Sequence, residues 1–244
     1  MVGIYFLFIV LNNLTSSSLA KTRVYNVLNF GAIPTGLIDT RKAFIGAWEA
    51  ACSAEGKTHI VVPKGRYLLN PINFSGVGCK SNDITFMVDG TVIAPNDYRV
   101  LGAVERWVWF DRVDGVTIYG RGTLDAKGSS LWDCKKGKDG DKCPPGATTL
   151  TFTNANNILI KGITSLNCQL FHMVINICKN VTFEAIKIIA PSDSPNTDGI
   201  HVQVASDVTI KNTIVKTGDD CVSVGPGTKN LWVERIVCGP SHGI

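Results

Sequence analysis

The chain has 244 residues, 45% of them hydrophobic and 18% charged, with a formal net charge of +4. That balance fits a globular chain with one sizeable core and excludes a disordered or fibrous one. The mild basic excess suits an acidic polymer as partner, and equally an ordinary basic surface.

Met1–Ala20 reads as a secretory signal. Ile4–Leu11 is an apolar run of eight residues, and Ser18-Leu19-Ala20 offers a small-residue cleavage site. The run is far shorter than the roughly 20 residues a membrane span needs, and no later stretch is long enough either. Residues 21–244 then form one domain, since no linker divides them. Eight cysteines suit an oxidising compartment, so a secreted, extracellular protein is expected. Asn73-Phe74-Ser75 and Asn180-Val181-Thr182 are glycosylation sequons that such an address would make usable.

Val24–Phe30 is expected to form the first strand, ending at Gly31. From Asp39 to Cys52, residues Phe44, Ala47, Trp48, Ala51 and Cys52 recur at helical spacing, with Asp39 or Thr40 able to cap the start. One amphipathic helix ahead of many short strands suits a plug on the open end of a solenoid. Strands follow at His59–Val62, Ile84–Val88 and Val116–Tyr119. A ladder then appears, in which Asn157, Asn180, Asp207 and Asn230 each open an aliphatic-x-aliphatic strand, at spacings of 23, 27 and 23. Ser129–Gly146, rich in Lys, Gly and Pro, is expected to be a loop stapled by Cys134 and Cys143. Cys52 with Cys79 would tie the helix to the first coils, and Cys221 with Cys238 would join adjacent coils. Cys168 and Cys178 read as buried free thiols.

The C-terminal stretch carries the chemistry. Asp198-Gly199-Ile200, Asp220-Cys221-Val222 and His242-Gly243-Ile244 are separated by 220 − 198 = 22 and 242 − 220 = 22 residues. A period in the low twenties is one coil of a parallel β-solenoid, so Asp198, Asp220 and His242 would stand in a column, with Asp219 adding a third carboxylate. The alternation expects Ile200, Val202, Val204, Val222 and Val224 to face the core and His201 and Gln203 to face outward. The aspartates must then turn out of the core just before each strand, with freedom supplied by Gly199 and Gly218. Several carboxylates in one outward cleft suggest glycoside hydrolysis, one acid protonating the leaving oxygen while another activates water or attacks the sugar. Crowding raises at least one of their pKa values, and His242 is placed to tune that protonation. Calcium binding is the competing reading of an oxygen cluster, but the spacing is not that of a regular ligand set. Without the register, an Asp-Asp pair would read as a solvated turn.

In order and spacing, Asn196-Thr197-Asp198, Gly218-Asp219-Asp220 and Ser241-His242-Gly243 resemble the motifs of polygalacturonases, the pectin-cleaving family 28 glycoside hydrolases. Phe30-Gly31-Ala32, Lys42-Ala43-Phe44 and Trp48-Glu49-Ala50-Ala51-Cys52 resemble the secreted plant members. The resemblance implies a right-handed parallel β-helix, all-β apart from its N-terminal capping α-helix. It also implies inverting hydrolysis of α-1,4-galacturonan in pectin, in the cell wall. It makes Asp219 the general acid, has Asp198 and Asp220 hold and activate the water, and has His242 support the acid. Asn196 would shape the substrate site, and outward-facing His201 and Gln203 would touch substrate. No cofactor, metal, nucleic acid or membrane partner is expected, and the protein is expected to be a monomer. The family continues past Ser-His-Gly into an Arg-Ile-Lys motif and a later tyrosine, whereas the chain stops at Ile244. The expectation is a partial or truncated solenoid lacking its C-terminal coils. The alternative function is a non-catalytic or unstable remnant. A pectate lyase, also a parallel β-helix, would need calcium and an arginine base that the aspartate column does not show.

Overall fold

A computed structural model describes residues 22–138 and 140–244. The leader expected over Met1–Ala20 lies outside the described residues. The rest winds into a right-handed parallel β-helix of three sheets. The first sheet has eight strands, running from Arg23–Asn26 and Thr58–Val62 through to Ser206–Lys211 and Lys229–Glu234. The second also has eight, from Thr35–Asp39 to Val237–Cys238. The third has six, among them Arg106–Asp111, Thr148–Thr153, Met173–Asn176, Ile200–Gln203 and Val222–Val224.

Register follows the sequence period. Ile200 pairs with Val222 and with Met173. Ile158, Val181, Val208 and Leu231 stack in one column. The first three are fully buried or nearly so, which is the inward set of the alternation. Asn157, Asn180, Asp207 and Asn230 take left-handed φ of 52–57°, a conformation that short polar side chains tolerate. Their side chains stack as well. Asn180 Nδ2 donates to Asn157 Oδ1 at 2.7 Å, and Asn230 Nδ2 donates to Asp207 Oδ1 at 3.0 Å. The sequon residue Asn180 is thus part of a polar ladder, while Asn73 is exposed on the third sheet.

The corners differ in length. Single left-handed residues turn the chain from the third sheet to the first at Asn154, Ile177 and Val204, and from the first to the second at Ala185, Asn212 and Arg235. The passage from second to third sheet is longer, and its excursions include Asn167–His172, Ala190–Gly199 and Thr217–Cys221. Those loops carry the site.

The capping helix α1 spans Arg41–Ser53 and buries Ala43, Phe44, Ala47, Trp48 and Ala51. Trp48 stacks on Phe86 at 6.0 Å, and its indole N–H donates to the Ser75 carbonyl at 3.0 Å. Asp39 Oδ1 accepts from the Arg41 N–H at 3.0 Å, whereas the Thr40 hydroxyl bonds the Leu68 carbonyl instead. Disulfides join Cys52 to Cys79, Cys134 to Cys143 and Cys221 to Cys238. Cys168 and Cys178 are buried and free.

Three expectations are corrected. The first strand stops at Asn26, because the Asn26 side chain accepts from the Leu28 N–H and starts a 3-10 turn over Val27–Phe30. Ser129–Gly146 is not all loop. Ser129–Lys136 is a helix, α2, whose Leu131 and Trp132 are buried, and the Trp132 indole donates to the Cys168 carbonyl at 3.1 Å. Val204 and Val224 do not face the core. Val204 sits at a left-handed corner, 50% exposed, and Val224 is 54% exposed at the end of its strand.

Candidate active site

Asp198 and the Asp219-Asp220 pair lie on successive second-to-third-sheet loops, immediately before the strands Ile200–Gln203 and Val222–Val224. A buried hydroxyl network locks one loop to the other. Thr197 Oγ1 lies 2.7 Å from Ser194 Oγ, receives the Thr217 hydroxyl at 2.8 Å and accepts the Gly218 N–H at 3.0 Å. The backbone continues the link, with the Gly199 N–H donating to the Asp220 carbonyl at 2.8 Å and the Cys221 N–H to the Gly243 carbonyl at 2.7 Å. Gly199 and Gly218 serve this packing through close approach. Neither has positive φ, and a Cβ on Gly218 would run into the Ser194 carbonyl, one on Gly199 into the Cys221 carbonyl. The left-handed residue in the region is Asn196, at φ 53°. It is exposed at the turn two residues before Asp198.

The carboxylates occupy different environments. Asp198 is 7% exposed. Burial lifts its pKa above the ordinary aspartate value, and the nearby Asp219 and Asp220 charges push it further, while the neighbouring Ser223 hydroxyl opposes the rise. Asp219 is half-buried. Its Oδ1 accepts the Asp220 N–H at 3.0 Å and lies 3.1 Å from His242 Nδ1. The His242 N–H also donates to the Asp219 carbonyl, at 3.1 Å, so this histidine is held to Asp219 by backbone and ring together. Its side chain is 67% exposed. Asp219, Asp220 and His242 each present one ligand atom, all within 4.8 Å of one another. Two carboxylates and an imidazole fall short of the 6–8 oxygens that calcium takes.

Beside the carboxylates, a groove of about 670 Å³ runs over the outer face of the third sheet. His201 and Gln203 line it, with Phe171, Thr151, Thr153 and Arg106. The Phe171 ring stacks on His201, 5.3 Å between centroids and 21° between planes. Further along the same face, the Arg106 guanidinium stands 4.7 Å over the Trp109 ring. The groove is also lined by Gly102–Arg106 and by Pro144–Gly146, the latter held by the stapled segment around α2. Lys136 of α2 also bonds Asp193, at 2.5 Å, in the loop that leads to Asp198.

The structure therefore brings Asp198, Asp219, Asp220 and His242 together on adjacent coils and places His201 and Gln203 in the adjoining groove. Sequence reasoning missed Ser223, Thr197 and Thr217. A signal existed for the threonines, which lie 217 − 197 = 20 residues apart, close to the coil period.

The family model "Glycosyl hydrolases family 28" matches residues 52–244. The chain is 50% identical over 229 residues to a polygalacturonase of Prunus persica, covering 94% of this chain and 58% of that protein. It is 40% identical over 221 residues to an exopolygalacturonase of Platanus acerifolia, covering 91% and 58%. It thus spans little more than half the length of these curated relatives. Its fold resembles that of an endo-xylogalacturonan hydrolase from Aspergillus tubingensis, with a TM-score of 0.79, 24% identity, and coverage of 92% of this chain and 59% of that one. It also resembles a polygalacturonase from Erwinia carotovora, with a TM-score of 0.75, 18% identity, and coverage of 92% and 65%. With the family model covering most of its length, the chain belongs to the glycosyl hydrolases family 28.

Proposed function

We propose that the chain is the part of a secreted polygalacturonase that carries its carboxylates, and that it hydrolyses α-1,4 bonds of polygalacturonan with inversion. The observation that carries this is the set of Asp198, Asp219 and Asp220 on two stacked loops, with His242 bonded to Asp219. Asp219 acts as general acid and gives its proton to the leaving glycosidic oxygen, with His242 Nδ1 beside it holding that proton balance. Asp198 and Asp220 hold a water and take its proton as it attacks the anomeric carbon from the opposite face. An α bond opened this way gives a β product. His201, Gln203 and Asn196 contact the polymer where it leaves the carboxylates. The disulfides support an extracellular, cell-wall address, and either sequon is a candidate for a glycan.

Reducing ends released from polygalacturonate test the reading. Asp219→Asn and Asp220→Asn should each lower kcat by about a thousand-fold, within the range one acid or base contributes. A variant that keeps full activity would remove that residue from the mechanism. Binding of polygalacturonate without new reducing ends would favour the non-catalytic solenoid.

A further inference from the structure

One outward column forms the floor of the groove. Strand register runs it from Ser223 through His201, Val174, Thr151 and Trp109 to Asn73, one residue per strand. Asn73 is the last rung, because its strand Ile72–Ser75 is the edge of the third sheet opposite Val222–Val224. Four strand steps separate it from His201, about 19 Å at the usual strand spacing. Around Asn73 lies a hollow of about 370 Å³, walled by Pro71, Val104, Arg106 and Trp109. Val104, Glu105 and Arg106 line both this hollow and the larger groove, so the one continues into the other. Trp109 is held there from two sides, its indole N–H donating to Thr153 Oγ1 at 2.7 Å and the Arg106 guanidinium lying over its ring.

Asn73 is also the acceptor residue of the Asn73-Phe74-Ser75 sequon. Strand alternation splits the triplet. Phe74 packs into the core at 2% exposure, while Asn73 points out and its side chain makes no hydrogen bond among the described residues. A bulky glycan needs such a surface amide. The other sequon residue, Asn180, stands away on the first sheet, and its amide already donates to Asn157. In the modification, Asn73 Nδ2 bonds the anomeric carbon of a polyprenyl-diphosphate-linked oligosaccharide. The bond from that carbon to the diphosphate oxygen breaks, and the lipid diphosphate leaves with its electron pair. Nδ2 gives one proton to the transferase and keeps the other.

We propose that Asn73 carries an N-linked glycan that fills the hollow and closes the groove at its edge-strand end, so that a bound polymer reaches no further than Trp109. The glycan then takes the place of the polymer's outermost sugars, beside Arg106, the one Lys or Arg that lines the groove and the hollow. The closure rests on a polyuronate lying in the groove and on a secretory address, as the proposed function has them.

The full 244-residue chain, secreted from a eukaryotic host, is digested after enzymatic release of its N-glycans, which converts an occupied asparagine to aspartate. Mass spectrometry should find Asn73 converted. Binding then judges the closure, in an Asp219→Asn background that leaves the polymer uncut. Asn73→Gln and Ser75→Ala each abolish the sequon, and the same chain made in a host without the transferase keeps Asn73 bare. All three should bind polygalacturonate about ten-fold tighter than the glycosylated chain, the gain of one charge-assisted contact at Arg106. A short oligogalacturonate that does not reach Trp109 should bind all four forms alike. An unmodified Asn73 in the secreted chain overturns the proposal, and so does equal affinity of glycosylated and bare forms for the polymer. Both results leave the polymer reading standing. Failure of every form to bind either ligand sinks the polymer reading and the closure with it.

Discussion

Two buried titratable residues pull the stability of this chain in opposite directions with pH. Asp198 has its folded pKa raised, so the folded state holds the proton more tightly than the unfolded one. Its cost is absent below the ordinary aspartate value. It grows as pH rises through the window between that value and the raised one, and it is fully present above. Asp198→Asn should therefore melt higher than wild type at neutral pH, and the gap should close by about pH 3. A variant that melts lower at neutral pH would show that the Asp198 charge stabilises the fold. His172 works the other way. Its ring is wholly buried against Ser165 Oγ, 2.8 Å from Nδ1, and Nε2 has no partner among the described residues. Burial pushes its pKa down from 6.5 to about 3. The stability is full above the ordinary histidine value and is lost as pH falls toward the lowered one, by at most about 1.4 kcal/mol per pH unit. His172→Gln should flatten the acid limb of a melting-temperature profile. An equally steep limb would mean that other groups set it.

At the scale of elements, the loops between second and third sheets are where sequence and function meet. Their geometry depends on the Thr197–Thr217 hydroxyls and on Gly218, whose missing side chain lets the Asp219 loop lie against Ser194. Gly218→Ala must push the loops apart, because the obstacle is a backbone carbonyl. It should cost about 1–3 kcal/mol in stability and lower kcat by about a hundred-fold through misplaced carboxylates. Unchanged kcat would mean that the loop tolerates the shift. The strands themselves are legible in the sequence, since a coil period and an inward aliphatic column are local properties. Ile158, Val181 and Val208 announce their column by spacing and residue type alone. The helix over Ser129–Lys136 is not legible, because the Lys, Gly and Pro around it outweigh a short pattern that only the burial of Leu131 and Trp132 explains. Val204 is misread for a related reason. Alternation tells which face a residue takes while a strand lasts, and not where the corner comes.

In the whole molecule, the solenoid turns a linear spacing into a site. Twenty-two residues of sequence become one step between neighbouring strands, roughly 4.8 Å. That is why Asp198, Asp219, Asp220 and His242 can be placed together from their positions alone, and why Ser223, 22 residues after His201, falls beside that ring. The division of roles among the aspartates comes from family resemblance, and their different burial gives it a physical setting. Inverting hydrolysis is tested most directly by proton NMR of the first sugar released when the chain acts on polygalacturonate. The new reducing end should appear as the β anomer, with no ultraviolet-absorbing double bond, and Asp220→Asn should yield none. A newly formed α anomer would contradict inversion, and an unsaturated product would contradict hydrolysis itself.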